Sequence, residues 1–192
     1  MLPSQNLDIL TRLRQQTRPY HDALEQNTFN RELGAGQVSV AATAHFLRKI
    51  YGFLVPYEAQ LRRQGLAFSA EWELPQRSRS PLILADLASL PEGPLPPALC
   101  PLMPPLSTRA ELLGAMYVME GSTLGGQVIT RQLAQAGIPL QRYFRGYGEL
   151  TGPRWKTFCR LLTQEAAHVD QEQLVTSAAQ TFKLLEAWLK QP

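Results

Sequence analysis

The chain has 192 residues, a formal net charge of +3, 44% hydrophobic and 8% aromatic residues. This composition suits one domain with a sizeable core, and no apolar run approaches the ~18 residues of a membrane-spanning helix. Its cations are mostly arginines spread without a long basic run, which argues against a nucleic-acid-binding surface. The polar residues 1–6 lack the apolar core of a secretory signal, so we expect a cytoplasmic protein that contacts neither membrane nor nucleic acid.

The first two predicted elements are amphipathic helices. Residues 7–28 place apolar or small side chains three and four positions apart, at Leu10, Leu13, Thr17, Tyr20 and Leu24. Pro19 lacks a backbone donor, which predicts a kink or a restart two residues before it. Residues 38–64 repeat the helical pattern, with Ser39 as a candidate cap and a bend expected at Pro56.

Prolines dominate the next segment. Most of the fifteen prolines lie within residues 75–105, so this part of the chain cannot form one long helix. Residues 82–90, which follow Pro81, are predicted to form a short helix. Residues 91–105 are predicted to form an ordered loop with polyproline-like stretches, and their apolar side chains indicate that the loop packs on the body of the protein.

A third helical segment carries glycines in its middle. It is predicted to begin at Ser107 or Thr108, with Glu111 in its first turn, and to end at residues 136–139. Its internal glycines are Gly121, Gly125 and Gly126. Each glycine inside a helix costs roughly 0.5–1 kcal/mol relative to alanine. The cluster therefore indicates that something flat or bulky lies against bare backbone, or that the helix bends over it.

Two helices complete the predicted fold. A glycine-containing connection at residues 143–153 leads to helices at residues 155–167 and 171–189. The sequence shows no strand-like alternation and no internal repeat. We therefore predict an all-α protein, a single multi-helix domain over residues 1–192 that includes the proline-rich segment at 75–106.

One histidine has a partner at a useful spacing. His21 lies beside the inward face of the first helix, and Glu25, one turn later, is placed to accept a hydrogen bond from the imidazole nitrogen that does not bind a metal. Each residue alone also fits an ordinary helix surface. His45 and His168 lack such partners and are predicted to be surface or structural. The glycines of residues 121–126 resemble a dinucleotide fingerprint only superficially, because no strand precedes them.

A lone histidine, a glycine-rich helix and nearby arginines together fit a haem. The iron needs an axial base such as histidine, and the ring faces need apolar contacts. The two propionates need cations, for which the planar guanidinium of arginine is well suited.

Two blocks of the chain resemble the haem oxygenase family of the bacterial type. Residues 13–25, LRQQTRPYHDALE, are similar to the proximal helix of that family. Residues 117–126, YVMEGSTLGG, are similar to its distal helix. A weaker likeness at residues 36–38 and 154–158 extends the resemblance over most of the chain. The resemblance implies a haem-oxygenase-like helical bundle with haem between the proximal and distal helices.

The resemblance also implies roles for individual residues. His21 is expected to be the proximal iron ligand and Glu25 its acidic neighbour. Arg14 and Arg18 are expected to lie near the propionates and to set the rotation of the ring. The glycines expected to let the distal backbone lie over the haem are Gly121, Gly125 and Gly126. Further candidates at the edge of the haem or in the pocket wall are Tyr117, Arg131, Lys156, Arg160 and Phe182.

Ser122 departs from part of the family. Animal-type members carry an aspartate at this position, where it organises pocket water, whereas the serine form resembles other bacterial members. A hydroxyl group can relay protons through water but holds no negative charge. The departure therefore concerns the route by which protons reach the distal side.

The implied activity is oxidative cleavage of haem to biliverdin with release of carbon monoxide and ferrous iron. Haem would be both substrate and cofactor, with dioxygen as co-substrate. Because no flavin or nicotinamide site is visible, electrons must come from an external donor such as ferredoxin or a reductase. We also expect a monomer and the α-isomer of biliverdin. The product would serve iron release or a bilin-binding photoreceptor.

Two alternatives remain open at this point. Ser122 motivates a haem-binding carrier or sensor without turnover. A helical adaptor of the same fold that binds no haem is the other, and His21 together with the glycine helix argues against it.

Overall fold

The computed structural model describes residues 8–64, 68–91 and 97–191, and every regular element in that part of the chain is helical. The α-helices are α1 (Ile9–Glu25), α2 (Thr28–Gly34), α3 (Val40–Gln64), α4 (Ser80–Leu87), α5 (Arg109–Gly121), α6 (Gly126–Gln135), α7 (Arg142–Arg145), α8 (Thr151–Ala166) and α9 (Gln171–Leu189). Short 3-10 helices occupy Ala70–Trp72, Leu74–Arg77 and Gly148–Leu150. The all-α prediction is confirmed. The expectations for residues 1–6 and for the loop at 92–96 lie outside the described residues.

None of the described helices combines the length and the apolar character that crossing a bilayer would require.

Helix α1 runs through Pro19 without a break, so the predicted restart was wrong. Pro19 is exposed, as is Gln15, whose carbonyl loses its helical donor to the proline. Water can therefore satisfy that carbonyl. The buried Thr17 hydroxyl donates to the Leu13 carbonyl at 2.7 Å, which adds a contact within the same turn. Helix α3 likewise continues through Pro56.

The predicted start of the glycine-bearing helix is confirmed, but the prediction that it is one continuous helix was wrong. Thr108 caps α5, where its hydroxyl accepts from the Glu111 N–H at 3.2 Å and its own N–H donates to the Glu111 carboxylate at 2.9 Å. Helix α5 ends at Gly121 and α6 begins at Gly126, so residues 122–125 break the predicted helix in two. We call these four residues the α5–α6 break.

Helix α9 is the centre of the packing and contacts both α5 and α1. Gly114 of α5 makes this approach possible, because a Cβ at that position would overlap the Leu174 carbonyl oxygen of α9. Large side chains such as Leu113, Met116 and Phe158 are fully buried around this contact. Burying one such side chain contributes about 1.5–3 kcal/mol to folding, so the α5–α9 contact is a major part of the core.

The C-terminal elements follow the prediction closely except in the connection before α8. Helix α9 has the predicted bounds and is capped by Asp170, whose carboxylate accepts from backbone N–H groups of the first turn. Helix α8 begins at Thr151, four residues earlier than predicted, with Pro153 in its first turn, where no backbone donor is needed. Helices α2 and α7 were not predicted.

Helix α7 is held by a buried carboxylate. The Asp86 side chain accepts hydrogen bonds from the backbone N–H groups of Arg142 at 3.0 Å and Tyr143 at 2.9 Å. Asp86 is only 2% exposed, and burial raises the pKa of its carboxyl even though these hydrogen bonds oppose the rise. This contact joins α4 to α7 and fixes the aromatic residues that α7 carries.

Candidate functional site

A cavity of about 580 Å³ lies among α1, α3, the α5–α6 break, α7 and α9. Its volume falls within the roughly 300–1,000 Å³ typical of small-molecule sites. Residues of both blocks singled out in the sequence line it, from His21 on α1 to Gly121 and the α5–α6 break. The structure thus brings together two segments that are far apart in the chain.

The His21 imidazole is accessible and makes no close polar contact. Its side chain is 51% exposed, and its ring lies edge-on to Phe182 with 5.8 Å between the ring centroids. Its Nδ1 is 3.7 Å from the Asp22 carboxylate and its Nε2 is 3.6 Å from the Glu25 carboxylate. Both distances exceed normal hydrogen-bond length. Either nitrogen is therefore available as a ligand while the other keeps a carboxylate nearby.

Two arginines stand one turn apart on the same helix. Arg14 and Arg18 are exposed, and both line the cavity. The Arg18 Nε lies 3.6 Å from the Asp22 carboxylate, and its side chain is 78% exposed. These cations are free to reorient toward a negatively charged group at the solvent side of the cavity.

The glycines at positions 121, 125 and 126 differ in what an added side chain would contact. A Cβ at Gly121 would meet only the Trp155 ring, at 3.7 Å, and one at Gly125 would meet nothing within 4 Å. A Cβ at Gly126 would overlap the Phe144 carbonyl oxygen. Gly126 therefore lets α6 pack under α7, whereas Gly121 and Gly125 leave bare backbone beside the cavity.

The Ser122 hydroxyl already donates a hydrogen bond within the protein. It donates to the Met119 carbonyl at 2.7 Å and lies 3.4 Å from an Nη2 donor of Arg79. This hydroxyl therefore accepts from a cation and donates to the end of α5. The sequence alone did not reveal that a cation stands next to this serine.

Arg79 is buried in the wall of the cavity. It is 3% exposed, donates from Nη2 to the Met119 carbonyl at 2.6 Å, and its guanidinium lies 5.4 Å from the centre of the Tyr143 ring. Burial lowers the pKa of the guanidinium, but the tyrosine oxygens around it and the Glu120 carboxylate together raise it more, so that it lies above its ordinary value. The group is charged at every pH of interest. Sequence analysis missed Arg79, because it belongs to no periodic pattern.

Two buried carboxylates lie near Arg79, and neither contacts its guanidinium. Glu58 accepts from the Arg79 backbone N–H at 2.6 Å and from the Ser78 and Ser80 hydroxyls at 2.7 and 2.6 Å. Glu120 is paired with Arg77.

The Glu120–Arg77 pair is part of a wider buried network. The Tyr147 hydroxyl also donates to Glu120, at 3.1 Å. The Arg77 Nε donates to the Trp72 carbonyl at 2.6 Å, and its Nη2 is buried without a hydrogen-bond partner. The network holds the end of α5 against the two 3-10 helices that precede α4.

The structure does not bring three of the predicted cations to the cavity. Arg131, Lys156 and Arg160 are exposed and are not among the lining residues. Ile129 and Trp155 face the cavity from α6 and α8, and the cations that follow them along the helix point elsewhere. Arg160 donates instead to Glu71 at 3.3 Å.

Other predicted residues do line the cavity, along with aromatic residues that the sequence did not single out for the site. Tyr117 and Phe182 both lie in the wall, and burial raises the pKa of the Tyr117 hydroxyl. Phe46 and Phe144 contribute nearly parallel rings that stack with Phe29. Phe46 belongs to the predicted inward face of α3, but no local pattern identifies Phe144.

Solved structures of haem oxygenases share this fold. The chain superposes on heme oxygenase from Leptospira interrogans with a TM-score of 0.79 at 20% identity, covering 95% of this chain and 98% of that one. Heme oxygenase-1 from Synechocystis in complex with heme gives 0.73 at 14% identity, covering 95% and 91%. The NO- and CO-bound heme oxygenase from Neisseria meningitidis gives 0.73 at 19% identity, covering 96% and 91%.

Sequence comparison agrees with the structural likeness. A family model described as heme oxygenase matches residues 104–191. The curated heme oxygenase of Xanthomonas campestris pv. campestris is 30% identical over 135 residues, which cover 69% of this chain and 78% of that protein. The chain therefore belongs to the haem oxygenase family of oxygen-dependent, haem-degrading oxidoreductases.

Proposed function

We propose that this chain cleaves haem to biliverdin, with release of carbon monoxide and ferrous iron, in the cavity between α1 and the α5–α6 break. One observation carries the proposal. His21 and the side-chain-poor backbone at Gly121 and Gly125 line the same cavity, which has the volume of a small-molecule site. Bound haem would be the substrate and would also supply the chemistry that activates dioxygen.

The lining residues fit a haem. An axial ligand must be a neutral base, and neither His21 nitrogen is engaged in a close hydrogen bond. A carboxylate behind the other nitrogen, from Glu25 or Asp22, would fix the tautomer and raise the basicity of the ligand. The Phe46 and Phe144 rings supply apolar surface and keep water away from part of the site.

The α1 arginines fit the propionates of the substrate. Arg14 and Arg18 are exposed and line the cavity, so each can form a charge-assisted bond with a carboxylate at its solvent side. Their positions would set the rotation of the ring and hence the meso carbon that is cleaved. We propose the α-isomer as product. Chromatography that shows the β- or δ-isomer would contradict this assignment.

The distal backbone is proposed to orient dioxygen. At Gly121 and Gly125 no side chain occupies the cavity, so a planar ring can lie close to main chain and leave room for only a small co-substrate. Electrons would come from an external donor such as ferredoxin or a reductase. An acidic donor would suit the exposed cations on α1.

A haem carrier or sensor without turnover is the second candidate. The Ser122 hydroxyl favours it, because its proton is already donated to the Met119 carbonyl and no carboxylate takes its place. Incubation of the haem complex with ascorbate or with a ferredoxin system separates the two functions. Turnover bleaches the Soret band and raises absorbance in the red, whereas a carrier keeps its Soret band.

Replacing the proposed ligand tests the enzyme directly. His21→Ala should fold normally, because the imidazole is half-exposed and makes no close polar contact. It should lose its histidine-ligated ferric spectrum. Turnover should fall by more than about 100-fold, since even the groups that support a metal ligand are worth roughly 10–100-fold. His45→Ala, an exposed residue outside the cavity, is the matched control and should behave as the parent chain. A His21→Ala protein that keeps both spectrum and turnover would show that another group is the ligand.

A further inference from the structure

The Arg79 guanidinium carries a buried positive charge that has no ion-pair partner. Arg79 is 3% exposed, and the ion pairs found among the described residues do not include it. Its Nη2 contacts the Met119 carbonyl at 2.6 Å and the Ser122 hydroxyl at 3.4 Å, and both groups are neutral. The Tyr143 ring that it faces is also uncharged. No carboxylate in the described part of the chain contacts the guanidinium directly, although Glu120 acts on it through space and helps to raise its pKa.

The nearest carboxylates, Glu58 and Glu120, do not contact the Arg79 guanidinium and act on it only through space. Glu58 receives hydrogen bonds from backbone and serine hydroxyl donors at 2.6–3.0 Å, and Glu120 is paired with Arg77 and Tyr147. A buried guanidinium that lacks a direct, hydrogen-bonded counter-charge is less favourable than one in an ion pair with good geometry. A chain that keeps such an unpaired group next to a cavity gains from a negative ligand in that cavity.

The position of Arg79 says where such a ligand would lie. Arg79, Ser122 and Gly121 all line the cavity, so the positive charge faces the part of the site that the α5–α6 break leaves free of side chains. We propose that Arg79 forms an anion-binding subsite at the α5–α6 end of the haem cavity, which takes small anions such as azide, cyanide or fluoride. The proposal rests on the proposed function, because the anion is held beside bound haem.

This subsite gives the serine at position 122 a physical role. The Ser122 hydroxyl accepts from Arg79 and directs the guanidinium without neutralising it. An aspartate at the same place would form an ion pair with Arg79 and remove the anion site. Ser122 is thus a positioning residue. The charge of Arg79 then favours negative charge that develops on dioxygen as external electrons arrive.

The test measures the affinity of the ferric haem complex for azide, in the parent chain and in variants. The visible spectrum of the haem reports binding. Arg79→Met and Ser122→Asp should each bind azide at least about tenfold more weakly, because a charge at contact distance in a protein is worth more than ~1.4 kcal/mol. Arg79→Lys and Ser122→Asn, which keep the charge balance, should stay within about threefold of the parent. Arg145→Met removes an exposed cation from α7 outside the cavity and should leave azide affinity unchanged.

A neutral ligand distinguishes an effect of the Arg79 charge from a change in the shape of the cavity. Imidazole affinity should stay within about threefold in every variant, since no charge interaction changes. Unchanged azide affinity in Arg79→Met, or an equal loss for azide and imidazole, would overturn the subsite while a normal haem spectrum leaves the proposed function standing. A parent chain that takes up no haem overturns both proposals. Should Arg79→Met lose its helical circular dichroism, the Ser122→Asp and Ser122→Asn pair decides alone.

Discussion

The two opposite walls of the cavity differ in how far their polar and charged side chains are exposed to water. On α1 the polar and charged side chains are in water, with His21 51% and Arg18 78% exposed. On the opposite side, which we call the distal wall (Arg79, Gly121 and the α5–α6 break), charge is buried. Arg79 is 3% exposed, and next to this wall the side chains of Arg77 and Glu120 are only 1% and 5% exposed. An exposed wall can adjust to a ligand but must lose side-chain entropy to do so, whereas a buried wall is fixed before the ligand arrives. We infer that α1 captures the substrate and that the distal wall sets the geometry of the reaction.

The walls also differ in how they are built. The α1 residues belong to one helix and contact each other at a spacing of four, as Arg18 and Asp22 do. The distal wall and the buried Arg77–Glu120 pair next to it join side chains from separate segments of the chain. Their arrangement depends on tertiary packing, so single changes there should cost more than changes on α1.

The sharpest test of this difference removes one carboxylate charge from α1 and one from the buried pair next to the distal wall. Glu120→Gln should lower the free energy of unfolding by about 3–5 kcal/mol, because it leaves the buried Arg77 guanidinium without a counter-charge. Asp22→Asn, in the exposed pair with Arg18, should cost less than about 1 kcal/mol. Urea denaturation of the two variants beside the parent chain measures both values.

A double variant checks the reason for the large effect. Arg77→Met combined with Glu120→Gln removes both charges, so it should recover part of the stability that Glu120→Gln alone loses. Equal losses for Glu120→Gln and Asp22→Asn would mean that burial does not distinguish the walls.

The same contrast explains which parts of the site the sequence predicted. His21, Arg14 and Arg18 were predicted from one contiguous block that resembles the proximal helix of the family, and the 3.6-residue repeat places them on neighbouring turns of that helix. Glu58 and Arg79 lie on different elements and meet only after folding. No local spacing indicates such a meeting. The distal cation was therefore missed although its partner Ser122 was singled out.

The fold shows the same limit at its prolines and glycines. Local propensity predicts a restart of α1 before Pro19, but the exposed position of the proline lets the helix continue. The glycine cluster predicted bare backbone against a flat or bulky group, and the structure places Gly121 and Gly125 beside a cavity, with the predicted helix broken between them. The cluster did not reveal that Gly126 serves contact with Phe144 rather than contact with a ligand. The identity of the contacting group is set by tertiary structure.

A second comparison divides the distal wall itself. Gly126→Ala should destabilise the protein by about 1–3 kcal/mol, because its methyl group overlaps the Phe144 carbonyl oxygen and α7 must move. Gly125→Ala has open space and a helical backbone, with φ of −75°, and should stabilise by about 0.4–1 kcal/mol. Thermal unfolding of the two variants without haem measures both changes in stability, which should have opposite signs.

Haem titration of these variants adds a second measurement. The Gly125 methyl group would project beside the cavity, so that variant should bind haem more weakly while its apo form is more stable. A Gly126→Ala protein as stable as the parent would contradict the close packing of α6 under α7.

The smallest expected effect comes from an exposed cation on α1, whose contribution to haem binding should depend on salt concentration. Arg18→Gln should weaken haem binding by only about threefold at low ionic strength, in line with the ~0.2–1 kcal/mol of an exposed ion pair. Because an exposed charge is screened within about 10 Å at 0.1 M salt, the difference between variant and parent should shrink further at 0.5 M. Arg31→Gln, an exposed cation outside the cavity, should show no difference at either salt concentration. A large, salt-independent loss for Arg18→Gln would instead mean that Arg18 becomes buried against the ligand, and that α1 closes over its substrate as a second fixed wall.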